Sequence, residues 1–165
     1  MTLALCVLAS RADAQGARGG AKKATVPVQK DPPLPTSIPA SVSDGKQIYA
    51  MTCAACHQPS GEGFPERYPP LASSEWVLGN EDRMLAIILR GLTGEIEVQG
   101  EMLSGAMPAW GPLLKDAQVA AVATYVRGNL GNKAAPVTAA TVARVRKATA
   151  ARKTPYTVAE LPGKP

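Results

Sequence analysis

Histidine occurs once in these 165 residues, at His57. That excludes any metal or catalytic centre built on two imidazoles of the same chain, and leaves general acid–base chemistry with few tools. Aromatic side chains make up only 4% of the chain, with one phenylalanine. A core assembled from so few large rings lacks apolar bulk unless a bound group supplies it. Cysteine occurs three times, as Cys6, Cys53 and Cys56. A zinc site needs about four nitrogen or sulfur ligands, so it would have to use every cysteine and the lone histidine. No apolar run is long enough to span a membrane as a helix. No basic–aromatic stripe or recognition motif accompanies the formal charge of +5, which excludes nucleic acid as a partner. Glycine and proline, at fifteen each, are abundant. They argue against a uniform helical bundle and for loops that wrap something.

The charge is unevenly spread. Residues 15–40 carry four basic side chains and one acidic; residues 41–130 carry six basic and ten acidic; residues 131–165 carry seven basic and one acidic. The basic balance therefore belongs to the two arms and not to the middle. At the start, Leu3 to Ala9 is apolar and Ala12-Asp13-Ala14 fits an A-x-A cleavage site. Residues 1–14 read as a signal peptide with Cys6 in the discarded part; a basic leader is missing, which leaves open a clipped N-terminus or a misassigned start. Export to the periplasm or another extracytoplasmic space follows. Residues 15–40 read as a linker rich in Pro, Ala and Gly, stiffened by Asp31-Pro32-Pro33-Leu34-Pro35.

The centre of the argument is Cys53-Ala54-Ala55-Cys56-His57. C-x-x-C-H is the attachment sequence of c-type haem. Each thiol adds to one vinyl group of the porphyrin, and the following histidine can place an imidazole nitrogen on the iron. The rival readings are a redox dithiol and half of a zinc site. The dithiol belongs at a strand-to-helix turn in a βαβ chain, a pattern absent here. With no second histidine, a sixth ligand has to be of another type, and a methionine sulfur is the best choice.

Around that motif the chain reads as short helices and loops. A helix begins near Ser43 and delivers the chain to Cys53, with Ile48 and Met51 on one face. Gln58 to Pro70 is a loop, and a carbonyl within Pro69–Leu71 is a suitable acceptor for the other N–H of His57, with Leu71 against the haem. Trp76 either lies at the haem edge with its N–H on a propionate or packs in the core. Asn80 caps a helix running to Arg90, whose Met84 reads as core. Glu95 to Val98 alternates polar and apolar residues, so a short strand or hairpin is open there. Met107 precedes Pro108 in a non-helical stretch of small residues, which suits a ligand on the open face of the haem; Met102 is the alternative. Asp116 caps a last core helix bearing Val119, Val122, Ala123 and Val126 at helical spacing. Residues 132–165 read as a basic tail with a weak helix over Thr138–Arg152, solvated rather than serving as a docking arm.

Cys53-Ala54-Ala55-Cys56-His57, Pro69-Pro70-Leu71 and Met107-Pro108 occur in the order that resembles class I c-type cytochromes. The resemblance covers Ser43 to Gly131, within a domain read as 41–131. It implies an all-α cytochrome c fold, three to five short helices wrapped around one covalent haem c. It also implies His57 and Met107 as axial ligands, with the Pro69 carbonyl on His57. The finer likeness is to cytochrome domains that accompany periplasmic dehydrogenases or precede terminal oxidases. The expected function is single-electron transfer, not catalysis, from a dehydrogenase donor to a cytochrome or oxidase acceptor in the respiratory chain. The alternatives are a fixed subunit of a dehydrogenase complex and a haem sensor or peroxidase-type protein with an open iron site. No transmembrane span is expected, and association with a membrane complex stays open.

Overall fold

Asp44 starts the first helix, and its carboxylate accepts the Gln47 N–H at 2.8 Å, so the cap lies one residue beyond the Ser43 read from sequence. The helix, α1, spans Gly45–Thr52. One turn follows as α2, Ala54–His57. Another short turn, α3 (Glu75–Leu78), leads into α4 (Glu81–Arg90), which the Asn80 side chain caps as expected through Arg83 N–H at 3.0 Å. Two strands then pair antiparallel, β1 (Leu92–Val98) and β2 (Glu101–Met107), in a register that sets Leu92 opposite Met107 and Val98 opposite Glu101. After them come α5 (Asp116–Gly128), α6 (Ala139–Ala148) and a 3-10 turn at Val158–Glu160. In α5, Asp116 is the first helical residue and Lys115 the cap. This computed structural model describes residues 30–163; the expected signal peptide, Cys6 and residues 15–29 of the linker lie outside the described residues.

The all-α expectation is corrected by the hairpin. Gln99 and Gly100, at φ 54° and 80°, form a two-residue turn with both residues in the left-handed region. That geometry matches the twist of paired strands and closes a hairpin. The fold is mostly helical, with six helices and one two-stranded sheet among the described residues.

From Pro32 on, the chain forms one compact unit. The expected α5 stripe is its spine: Val119, Val122, Ala123 and Val126 are all buried. Where α1 crosses α5, a Cβ on Gly45 would overlap the Ala121 carbonyl, and the Tyr49 and Tyr125 rings meet at 5.5 Å just beyond. Gly45→Ala is expected to cost about 1–3 kcal/mol, because the backbones have to separate. Denaturant unfolding reads this, and a loss below about 0.5 kcal/mol would mean the crossing is looser than described.

Of the segment read as a basic tail, 132–165, the described part, 132–163, is built into the same unit. Val142 and Val145 of α6 are buried, so the helix is not a solvated one. Its arginines are anchors. Arg146 donates to the Gly111 carbonyl at 2.6 Å, the Leu114 carbonyl at 2.8 Å and Asp116 at 2.6 Å. Arg144 grips both oxygens of Asp82 at 2.6 Å. Tyr156 bridges to β1, donating its N–H to the Gly91 carbonyl and accepting that of Thr93. Beyond it, Arg152 holds both oxygens of Glu160 and keeps that carboxyl down at about 2.

Candidate functional site

Residues three and four apart lie on one side of a helical turn. The turn at α2 obeys this: Cys56 and His57 both donate their N–H to the Cys53 carbonyl, at 3.1 and 2.9 Å. Cys53, Cys56 and His57 are thereby brought to one side of one turn. Both cysteines are half-buried and carry thiols rather than a disulfide. Burial pushes the Cys53 thiol up to about 11, against the smaller effect of the Thr52 hydroxyl at 3.3 Å, so it stays protonated at neutral pH.

His57 is 8% exposed. Its Nδ1 lies 2.9 Å from the Pro69 carbonyl, within the Pro69–Leu71 stretch expected to supply the acceptor and at the residue that the resemblance implied. A carbonyl only accepts, so Nδ1 carries the proton and Nε2 keeps its lone pair. Burial also lowers the pKa of the ring, the carbonyl opposing it more weakly, and so favours neutral imidazole. A neutral, buried imidazole with one nitrogen committed and the other open is prepared for a metal.

The loop that brings Pro69 into place folds back on itself. Gly63 N–H donates to the His57 carbonyl at 3.0 Å, and the Gly61 carbonyl accepts both Leu71 N–H and Ala72 N–H, at 2.7 and 2.9 Å. Tyr49 Oη donates to the Gln58 carbonyl at 2.6 Å, tying the start of the loop to α1. Leu71 is half-buried at the edge of the core.

The hairpin discriminates between the two methionines. Successive residues of a strand face opposite sides. Leu103, Gly105 and Met107 therefore share one face, and Met102 lies on the other. On the first face Leu103 is 4% exposed and Met107 is half-buried among core residues; Met102 is 60% exposed. Met107 thus closes a strand instead of lying in a loop, as its small neighbours had suggested. Gly94 and Gly105 face each other across the same inner side. A Cβ at Gly94 would meet nothing within 4 Å, and one at Gly105 only the Arg67 carbonyl at 3.9 Å. The result is a bare strip of backbone, flanked by Ile96 and Met107, that suits the flat face of a macrocycle. The hairpin also meets the loop after His57, where Glu66 N–H donates to Glu101 at 3.3 Å. Half-buried Leu71, Ile88, Ile96, Met107 and Leu113 join Cys53 at the margin of the core. Two thiols, one imidazole, one thioether and an apolar surround fit a haem.

Trp76 is a correction. Its indole N–H donates to the Glu97 carbonyl at 2.7 Å and so is not open to a propionate. The ring packs in the core beneath Arg83, whose guanidinium lies 4.3 Å from its centre. Trp76 fastens α3 and α4 to the hairpin. Asn132 is a residue that the sequence reading passed over; its only signal was a polar residue just after the last core helix. It is 3% exposed, and its amide joins the Leu71–Ser73 stretch to the end of α5.

Among the described residues no group of three or more His, Cys, Asp or Glu side chains could hold a metal ion, and no helix is long and apolar enough to cross a membrane. Residues 40–126 match the family described as cytochrome c oxidase, cbb3-type, subunit III. A cytochrome c-552 of Thermus thermophilus is 35% identical over 122 residues, which cover 70% of this chain and 92% of that protein. The fructose dehydrogenase cytochrome subunit of Gluconobacter japonicus is 36% identical over 111 residues, 63% of this chain but 22% of that subunit. The cbb3-type cytochrome c oxidase subunit CcoP of Azospirillum brasilense is 32% identical over 97 residues, 56% of this chain and 29% of that subunit.

Proposed function

The chain belongs to the c-type cytochromes, within the family described as cytochrome c oxidase, cbb3-type, subunit III, and on that premise we propose that it passes single electrons between an extracytoplasmic dehydrogenase or respiratory complex and a downstream acceptor. Its cofactor is one covalently attached haem c. When bound, that group supplies an iron that accepts and releases one electron. Cys53 and Cys56 hold it through thioether bonds. His57 Nε2 and the Met107 sulfur would be the protein's ligands to its iron. The observation that carries this reading is the His57–Pro69 contact, which leaves a neutral imidazole with one nitrogen open.

Each residue has a physical task. The Pro69 carbonyl fixes the tautomer and the plane of the imidazole. Met107 comes from the inner face of β2, and Pro108 restricts the chain beyond it. Leu71, Ile88, Ile96 and Leu113 keep water from the site, which favours the less charged, reduced form. A ligand set that stays in place through the electron's arrival and departure keeps reorganisation small. Such a site suits a carrier in the periplasm, where covalent haem attachment takes place. It needs no acid–base pair, and the reading is of an electron-transfer protein rather than an enzyme.

A second reading has its own support. The relatives that are dehydrogenase and oxidase subunits match over less than a third of their length, so the same domain also serves as a part of larger proteins. A stable complex with an enzyme subunit on purification favours a fixed electron-entry module; isolation as a single chain favours the shuttle, as does the match to 92% of a cytochrome c-552.

The test is optical. The haem-loaded protein is expected to cycle between oxidised and reduced forms with a one-electron mediator. Once reduced, it is expected to leave carbon monoxide unbound at neutral pH, because His57 and Met107 would both be engaged with the iron. Ready uptake of carbon monoxide overturns the closed carrier and supports an open-site sensor or peroxidase-type protein.

A further inference from the structure

We infer that Asn132 is a positioning residue for the iron ligand His57, an inference that rests on the ligation proposed above. The carbonyl that orients His57 belongs to a loop, and a loop carbonyl orients a ring only as well as the loop itself is held. Residues 69–73 are held from two sides. On one side Leu71 N–H and Ala72 N–H share the Gly61 carbonyl. On the other stands Asn132, at the end of the turn that leaves α5. Its Oδ1 accepts Ser73 N–H at 2.8 Å, and its Nδ2 donates to the Leu71 carbonyl at 2.9 Å and to the Val126 carbonyl at 2.8 Å. Both amide protons and the carbonyl oxygen are thus engaged, in a residue 3% exposed.

The turn that delivers Asn132 is itself specialised. Leu130 and Gly131 both have positive φ, 55° and 81°, and the Leu130 side chain fills the space against Gly61 where a Cβ would come within 2.9 Å. A non-glycine residue held there at positive φ carries backbone strain, which the surrounding contacts have to sustain. The turn thus presses on both supports of the loop: Leu130 on Gly61, Asn132 on Leu71 and Ser73. Pro69, whose carbonyl meets His57 Nδ1, lies two residues from Leu71. Replacing Asn132 by alanine takes their Asn132 partner from the Val126 carbonyl and the Ser73 N–H and leaves the Leu71 carbonyl only the longer contact from Ser74 N–H at 3.4 Å, and the loop shifts to reach water.

The consequence at the metal has a sign. An acceptor on Nδ1–H makes the imidazole a more basic ligand. A more basic ligand favours the oxidised, more positive iron. Loosening the Pro69 carbonyl therefore raises the midpoint potential and exposes the Nδ1 proton to exchange.

The experiment uses the full, haem-loaded chain as wild type, Asn132→Ala and Val142→Ala. Val142 is fully buried in α6 and its side chain has no polar atom to take part in these hydrogen bonds, so its variant reports the effect of lost stability alone. In the reduced, diamagnetic protein, NMR follows exchange of the His57 Nδ1 proton, and a redox titration gives the midpoint. Asn132→Ala is expected to speed exchange at least tenfold and to move the redox equilibrium towards the reduced form by up to about tenfold, ~59 mV for one electron. Val142→Ala is expected to do neither at a similar loss of thermal stability. Unchanged exchange and potential in Asn132→Ala, or equal changes in Val142→Ala, overturn the proposal. Should Asn132→Ala fail to mature, Asn132→Ser is read in the same way. Ligation by His57 is tested separately in the wild type: if its ring protons lack the shift that an overlying macrocycle imposes, that reading fails before any variant is compared.

Discussion

Replacing Met107 with alanine is expected to abolish the iron–sulfur charge-transfer band of the oxidised protein and to lower the midpoint potential by on the order of 0.1–0.3 V, while Met102→Ala changes neither. The sign follows from the ligand. A thioether is a soft, neutral donor that favours the reduced iron, so its loss favours the oxidised form. Removing the side chain also opens the inner face of the hairpin to water, which acts in the same direction by solvating charge. The contrast between the two residues follows from strand periodicity: five positions apart, they necessarily face opposite sides of β2. Met102 stands on the side of Glu97 at 60% exposure, whereas Met107 shares its side with buried Leu103 and the bare strip at Gly94 and Gly105. To ligate through Met102 the hairpin would have to slip by one residue. Such a slip would turn β2 over and send Leu103, now 4% exposed, out to solvent. If Met107→Ala keeps the band and Met102→Ala loses it, the register described here is not that of the haem-loaded protein.

The parts of this site legible in the sequence are those whose chemistry is local. C-x-x-C-H needs only one helical turn, so five consecutive residues suffice to read it. Asn80 and the valine stripe of α5 are equally local, since a cap and a 3.6-residue period are written within a few positions. The hairpin was half legible. Glu95 to Val98 alternates, but its partner strand contains Ser104, Gly105 and Ala106, small residues that carry no β signal. The C-terminal segment misled for another reason. Its arginines look like solvent-facing charge, yet Arg146 uses its fork to satisfy carbonyls at Gly111 and Leu114, which lie more than thirty residues away. Only two valines of α6 show an apolar face, too few to declare a docked helix. Trp76 shows the same limit from the other side. Its size announced an important residue, but which carbonyl its N–H would find depended on pairing between distant segments.

Replacing Cys53 and Cys56 together with serine is expected to leave a protein that keeps much of its helix but loses cooperative unfolding and fixed aromatic packing, and carries no haem after acid denaturation and solvent extraction. The argument starts from the aromatic poverty of the chain. Leu71, Ile88, Ile96, Met107 and Leu113 are only half-buried by the polypeptide itself. Complete burial of such a side chain contributes about 1.5–3 kcal/mol, so the half that the haem covers amounts to about 4–7 kcal/mol over the five. A domain of this size has a net stability of about 5–15 kcal/mol, so losing that contribution takes most or all of it. The bare strip at Gly94 and Gly105 adds to the loss, because without a macrocycle against it the hairpin has no partner on its inner side. The α1–α5 crossing and the docked α6 do not depend on the haem, since their contacts are already complete. Helical circular dichroism should therefore survive in large part while the near-ultraviolet signal collapses and a hydrophobic dye binds, the signature of a molten globule. A double variant that unfolds in one sharp transition near the wild-type temperature would show that the polypeptide completes its own core, and the haem would then be a passenger rather than part of the fold.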